Sequence, residues 1–148
     1  MKYLKLFESF NTIRIKLDSD IYTDAYYQYL YFRILKHTTT IGRFELELKF
    51  DKKNDGNYSI KNDVFDISIY GFEIEEKNQG KGIGKYSFSK IINYIDDKFN
   101  YRNIFLSVFK INKIAINIYE QNGFGVIKDN GDYITMKKQK FNEVFKQI

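Results

Sequence analysis

Ile13, Ile15 and Leu17 alternate with Arg14 and Lys16 near the start of the chain. A period of two residues collects side chains on one face of a strand, so Thr12–Leu17 is the first predicted strand. Asp18-Ser19-Asp20 reads as a turn or helix start. Two denser runs, Tyr26–Lys36 and Ile41–Phe50, are rich in aromatic and β-branched residues. They read as antiparallel strands joined through His37-Thr38-Thr39-Thr40. The polar segment Asp51–Asn57 carries an Asp-Gly turn signal and separates them from a fourth strand, Val64–Ile74. The period then changes. Residues Ile83–Phe99 are helical in pattern, with Ile91, Ile92 and Ile95 on one face. Ile104–Phe109 reads as a strand, and Asn112–Asn122 as a helix stopped by Gly123. Val126-Ile127 and Tyr133–Met136 form a closing hairpin around Asp129-Asn130-Gly131. At the ends, residues 2–10 place Tyr3, Leu4, Leu6, Phe7 and Phe10 at helical spacing, as a short amphipathic helix or an extended lead-in. Phe141, Val144, Phe145 and Ile148 sit at i, i+3, i+4 and i+7 in a short amphipathic segment, 140–148, suited to the core or to a partner subunit.

No linker, repeat or low-complexity stretch interrupts this succession, so 1–148 is read as a single domain. The 148 residues are 43% hydrophobic and 18% aromatic, enough for a sizeable core. The absence of cysteine removes disulfide and thiolate chemistry, and one histidine argues against a metal site. No run of 18 apolar residues suggests a membrane span. Met1–Glu8 lacks the apolar stretch of a signal peptide, so a cytoplasmic location is expected. The net charge of +5 suits an anionic ligand. It forms no concentrated basic stripe, so nucleic acid is not an expected partner.

The most informative chemistry lies between the fourth strand and the first long helix. Residues 74–84 read Ile-Glu-Glu-Lys-Asn-Gln-Gly-Lys-Gly-Ile-Gly. Glycines let a backbone approach a ligand closely, and the first N–H groups of a helix attract an anion. The segment is therefore a candidate phosphate cradle. A P-loop would need glycine where Gln79 stands and Ser or Thr where Tyr86 stands. A dinucleotide fingerprint fails too, because Gly80-x-Gly82-x-Gly84 is one residue short. The acidic residues about 20 positions on, Asp96 and Asp97, fall inside the helical pattern.

Gln79-Gly80-Lys81-Gly82-Ile83-Gly84 instead resembles the Gln/Arg-x-x-Gly-x-Gly/Ala loop of the GNAT N-acetyltransferase superfamily. A second stretch, residues 106–124, is similar to that family's Leu-x-Val, Asn-x-x-Ala and Tyr-Glu-x-x-Gly-Phe pattern, through Asn112, Ala115, Tyr119, Gly123 and Phe124. Together the two motifs span about fifty residues of the C-terminal half, from 74 to 124. The resemblance implies an α/β (α+β) fold: a mixed, mostly antiparallel sheet of six to seven strands flanked by helices, split in a V between its central strands. The cofactor region would be about 64–137. It also implies acetyl transfer from acetyl-CoA, as co-substrate and without a metal, directly to a primary amine through a tetrahedral intermediate.

Residue by residue, the resemblance puts the pantetheine against the backbone of Phe72, Glu73 and Ile74. The pyrophosphate lies against Gln79, Gly80, Lys81, Gly82, Ile83, Gly84 and Lys85. Asn112, Ala115 and Tyr119 complete the cofactor set, with Asn112 either touching pantetheine or capping its helix. Tyr119 is the expected acid for the leaving thiolate, since a phenol keeps its proton at neutral pH. The base is left open among Asp66, Glu73 and an ordered water. By strand alternation Asp66, Ser68, Tyr70 and Phe72 share one face, and Glu73 and Glu75 the other. Ser68 and Ser107 stand where some members carry a catalytic Glu, and the missing Glu at 107 argues against protein N-termini as acceptors. His37 is a minor candidate in a predicted turn. Gln79 replaces the commoner Arg, position 76 lacks the usual Pro, and the helical region after the first strand is reduced. The acceptor is thus an amine on a small molecule or protein, and a homodimer is possible within the family. A non-catalytic acyl-CoA-binding or protein-interaction module is the alternative reading.

Overall fold

In the computed structural model of the chain, residues 12–22, 26–51 and 65–140 are described. Among these described residues seven strands form one sheet: β1 (Ile13–Tyr22), β2 (Tyr27–Lys36), β3 (Thr39–Phe50), β4 (Phe65–Ile74), β5 (Tyr101–Phe109), β6 (Gly125–Asp129) and β7 (Tyr133–Gln139). Helix α1 (Ile83–Lys98) joins β4 to β5, and α2 (Lys113–Gln121) follows β5. The spatial order is β1-β2-β3-β4-β5-β7-β6. Only β4 and β5 run parallel; the other pairs are antiparallel. The crossover through α1 is what a parallel pair requires.

Strand alternation sends Leu30, Phe32 and Ile34 to one face, opposite Leu46, Phe44 and Gly42 of β3. Phe65, Ile67 and Ile69 of β4 continue that face. Helix α1 covers it with Phe88, Ile91, Ile92 and Ile95, a stripe at helical spacing. Phe32 stacks on Phe44 at 4.7 Å and meets Tyr94 of α1 edge-on at 5.4 Å. Phe99, just past α1, closes the far end against Phe65 at 6.0 Å. Each such side chain contributes about 1.5–3 kcal/mol by leaving water. The opposite face of β2–β4 carries Tyr29, Tyr31, Glu45, Glu47, Ser68 and Tyr70, none of which is buried.

Several predicted boundaries shift for local reasons. β1 does not turn at Asp18-Ser19-Asp20 but runs to Tyr22 through a bulge between Leu17 and Ser19. The carboxylates have cross-strand partners instead: Asp18 binds Arg33 at 2.6 Å and Asp20 accepts from Gln28. The strand thus takes the space a helix would need, and no helix lies between β1 and β2 among the described residues. The β2–β3 turn is only His37-Thr38, because Thr39 and Thr40 join the ladder opposite Lys36 and Leu35. β5 starts at Tyr101, whose buried ring and hydroxyl bond to Asp96 pin the α1–β5 corner. β7 continues past Met136 to Gln139, paired with Asn103. The segments predicted over 2–10, 52–57 and 141–148 lie outside the described residues.

Two irregularities shape the site. β4 and β5 pair only from Phe65 with Tyr101 to Ser68 with Phe105. Beyond that they part, which opens the expected V. On its other side β4 pairs Tyr70 with Glu45 and Glu73 with Arg43, so three steps on β4 face two on β3. Gly71, at φ +61°, carries this bulge. The bulge reverses the alternation beyond it. Phe72 turns to the α1 face, against Phe88 at 5.5 Å, while exposed Glu73 joins the face of Asp66, Ser68 and Tyr70. The assignment of faces by simple alternation is therefore corrected here.

Candidate functional site

The loop after β4 is braced by its own side chains and backbone. Glu75 N–H donates to Ile41 O at 2.7 Å, a single 3-10 turn spans Glu76–Asn78, and Gln79 Nε2 donates to Ile74 O at 2.7 Å. Gly80 and Gly82 then take φ of +78° and +75°, a conformation that other residues adopt only with strain. Space is not what demands glycine at 80, since an added Cβ would meet nothing within 4 Å. Gly82 is the N-cap of α1 and offers no side-chain cap. The amides of Ile83, Gly84 and Lys85 therefore have no helical partner. No acidic residue sits in this first turn, so the dipole end is free for an anion.

A cavity of about 720 Å³ leads from this turn along the end of β4 to α2. Phe72, Ile74, Gly82, Gly84 and Lys85 line one side; Asn112, Ala115 and Tyr119 line the other. Ile83 buries its side chain in the core, so only its backbone faces this region. Lys81 is exposed and does not line the cavity. Gln79 lines it, although its amide is engaged with Ile74. Asn112 caps α2, its Oδ1 accepting from Ala115 N–H at 3.1 Å.

A second cavity of about 200 Å³ fills the V between β4 and β5. It shares Phe72, Asn112 and Tyr119 with the first, and adds Gly71, Phe88 and Ser107. Of these three shared residues, Tyr119 is the one that carries an ionisable side chain. Its ring packs on Phe88 at 4.8 Å and faces Phe124 at 6.3 Å. Gly123, at φ +92°, ends α2, and Tyr119 O accepts from Asn122 and Phe124. Ser89 of α1 donates to Asn122 Oδ1 at 3.2 Å, tying the two helices together. Burial raises the Tyr119 pKa above the ordinary phenol value, so the hydroxyl holds its proton throughout the neutral range.

The carboxylate candidates separate. Asp66 lies six residues before Phe72, about 20 Å along extended strand. There it accepts from Asn103 at 3.2 Å and meets Arg102 at 3.4 Å, and it lines neither cavity. Glu73 lines the cradle cavity, exposed and paired with Arg43 at 3.2 Å. Ser107 lines the V, whereas Ser68 and His37 line neither cavity. Three residues were not anticipated. Gly71 makes the bulge, and Phe88 forms the floor beneath Tyr119. At Gly42 a Cβ would stand 2.4 Å from Glu73 O and 3.0 Å from Ile74 Cδ1. Glycines inside two strand patterns were the available signal for the bulge and the close approach.

The Acetyltransferase (GNAT) family model matches residues 5–124. The chain belongs to the GNAT acetyltransferase family. Among curated relatives, the spermine/spermidine N(1)-acetyltransferase of Bacillus subtilis is 34% identical over 70 residues, 45% of this chain and 46% of that protein. A probable spermine N(1)-acetyltransferase of Bacillus subtilis subsp. natto is 33% identical over the same shares. The chain spans about half the length of the curated relatives it matches. A GNAT acetyltransferase of Elizabethkingia anophelis with acetyl-CoA bound superposes with TM-score 0.59 at 14% identity, over 88% of this chain and 99% of that one. The PaiA N-acetyltransferase of Thermoplasma acidophilum, in complex with coenzyme A, gives 0.52 at 21% identity, over 76% and 61%. At these identities the structures establish the fold alone, which agrees with the mixed sheet and the parting of β4 from β5 described above. No helix among the described residues is long and apolar enough to cross a membrane.

Proposed function

We propose that this GNAT protein transfers an acetyl group from acetyl-CoA to a primary amine of a small polyamine. The observation that carries the reading is the continuity of the glycine cradle with the V-shaped opening through Tyr119. The polyamine class follows the two Bacillus relatives, which are named for spermine or spermidine.

The residues present fit coenzyme A. Amides of Ile83, Gly84 and Lys85 would hold the pyrophosphate, with the Lys85 ammonium beside it. Past Ser68 the β4 edge has lost its pairing to β5. Phe72–Ile74 can thus offer backbone groups to the pantetheine amides as an added strand would be met. Bound acetyl-CoA supplies the thioester carbonyl. Attack by the amine nitrogen forms the C–N bond, and collapse of the tetrahedral intermediate breaks the C–S bond. Tyr119 gives its phenolic proton to the departing sulfur. The proton lost by the nitrogen passes to water, with Glu73 the carboxylate at the cavity rim, and solvent returns a proton to the Tyr119 phenolate. Asp66 takes no part, since Arg102 and Asn103 hold it at the other end of β4.

A thermal scan followed by a turnover assay tests the reading. At about 100 times Kd, acetyl-CoA should add roughly 2.7 kcal/mol, or about 5–10 °C in Tm for a domain of this size. Spermidine should then release free coenzyme A thiol and gain one acetyl group by mass. A thermal shift with no transfer to any amine would leave a non-catalytic acyl-CoA-binding module.

A further inference from the structure

A third cavity, of about 430 Å³, lies on the uncovered face of β2–β4 and is lined by Asp18, Tyr31, Arg33, Arg43, Glu45 and Gly71. It meets the V-shaped cavity at the Gly71 bulge. The three cavities thus follow one another from the cradle, past Tyr119, to the sheet face. Within the third, the charges mostly pair. Arg33 takes Asp18 through two short contacts, 2.6 and 2.8 Å, and Arg43 takes Glu73 at 3.2 Å. Glu45 has no ion-pair partner among the described residues. Its direct cross-strand neighbours are Tyr31 on β2 and Tyr70 on β4, which are 38% and 45% exposed.

A carboxylate with an exposed tyrosine opposite it on each neighbouring strand suits an alkylammonium, which can gain an ion pair and a nearby aromatic ring. We infer that Glu45, flanked by Tyr31 and Tyr70, binds a distal ammonium of the acceptor while the reacting amine passes Gly71 to reach Tyr119. This rests on the polyamine reading above and names how such a chain would be held. The spacing agrees. Glu45 faces Tyr70 across one strand spacing, about 4.8 Å, and Gly71 is the next residue. Two nitrogens separated by four carbons span about 6 Å at ordinary bond lengths. The next carboxylate on this face, Glu47, is about 6.6 Å further along β3. It accepts the Tyr29 hydroxyl and is placed for a third nitrogen.

The test is steady-state kinetics of Glu45→Gln with spermidine and with n-butylamine, which has a single nitrogen. The ratio of kcat/KM for spermidine to that for n-butylamine should fall about tenfold, carried by the KM for spermidine. The KM for acetyl-CoA should stay within twofold. If that variant loses its acetyl-CoA thermal shift, Tyr31→Leu probes the same cavity and should lower the same ratio about threefold. Wild-type turnover of spermidine with an unchanged ratio in the variant overturns the assignment of Glu45 and leaves the proposed function standing. A wild type that binds acetyl-CoA but does not acetylate spermidine overturns both.

Discussion

The two ends of the proposed reaction path are built from different materials. On the cradle side, glycine dihedrals and the open N-terminus of α1 do the recognising, within nine residues of continuous chain from 74 to 82 and the turn that follows. On the sheet face, the recognising groups are side chains of three strands, Tyr31, Glu45 and Tyr70, brought together only by register. Backbone recognition constrains sequence locally, so it leaves a motif. Side-chain recognition across strands constrains residues far apart and leaves none. A ligand common to a whole family is well served by the first. An acceptor that differs between members is served by the second.

The sharpest way to break this comparison is to spoil the cradle electrostatically without disturbing its geometry. Gly84 is suitable, because it has no positive φ and a Cβ there would meet only Ile74 Cγ1 at 3.9 Å. Gly84→Asp places a carboxylate where the pyrophosphate would lie. Acetyl-CoA affinity should fall about 100-fold or more, roughly 2.7 kcal/mol, and the thermal shift should vanish. The unliganded Tm should hold or rise slightly, since an acidic residue in the first turn of a helix stabilises it by about 0.3–1 kcal/mol. Gly84→Ala should cost much less affinity. Equal losses in the two variants, read by calorimetry, would mean that shape rather than charge governs the cradle.

Tyr119 stands where the two regions meet. Tyr119→Phe should lower kcat by about 100-fold, at the lower end of general-acid effects, with acetyl-CoA affinity within threefold. A fall of less than about threefold would remove the acid role. The pH dependence has a definite sign. An acid must be protonated to act, and burial raises this phenol above its ordinary pKa of 10. kcat/KM should therefore climb with pH as the acceptor amine loses its proton, with no falling limb below pH about 10. A decline beginning near pH 8 would point to a different acid.

The mechanical link between the regions is Gly42. An added Cβ would stand 2.4 Å from the Glu73 carbonyl, a backbone atom that cannot swing aside. Gly42→Ala must push β3 from β4 at the point where β4 meets both the cradle cavity and the bulge. We expect a loss of about 1–3 kcal/mol, as for overpacked core sites, seen in the denaturant midpoint, with weaker acetyl-CoA binding alongside. Normal stability would show that the β3–β4 contact relaxes cheaply.

These residues also mark how far the sequence could be read. Strand and helix positions followed from periodicity because α1 covers one face of β2–β4 and leaves the other polar. The cradle and Tyr119 followed from contiguous motifs. The reading failed where one residue changes the period. Simple alternation put Phe72 with Asp66 and Glu73 opposite, whereas the Gly71 bulge exchanges them. It failed again at Asp18-Ser19-Asp20, whose carboxylates looked like turn formers until Arg33 and Gln28, one strand away, supplied partners. Neither partner is local, so neither could be seen in the segment itself.

Asp66 gives the smallest expected effect and the cleanest separation of the two regions. It sits on the strand that forms the site and on the same face as Glu73 and Tyr70, so by face alone it is a plausible base. The geometry places it at the closed end of the V, beside the last β4–β5 pairs, with Asn103 and Arg102 as partners. A base must come within one hydrogen bond, or one water, of the proton it takes, and about 16 Å of strand between Asp66 and Gly71, where the amine passes, excludes that. Asp66→Asn should keep kcat within twofold across the pH range. Its cost should be structural, about 0.5–1 kcal/mol for a half-exposed polar cluster, and absent from the kinetics. A tenfold fall in kcat with unchanged stability would place the chemistry at the closed end of the sheet, and the path from cradle to sheet face would have to be redrawn around it.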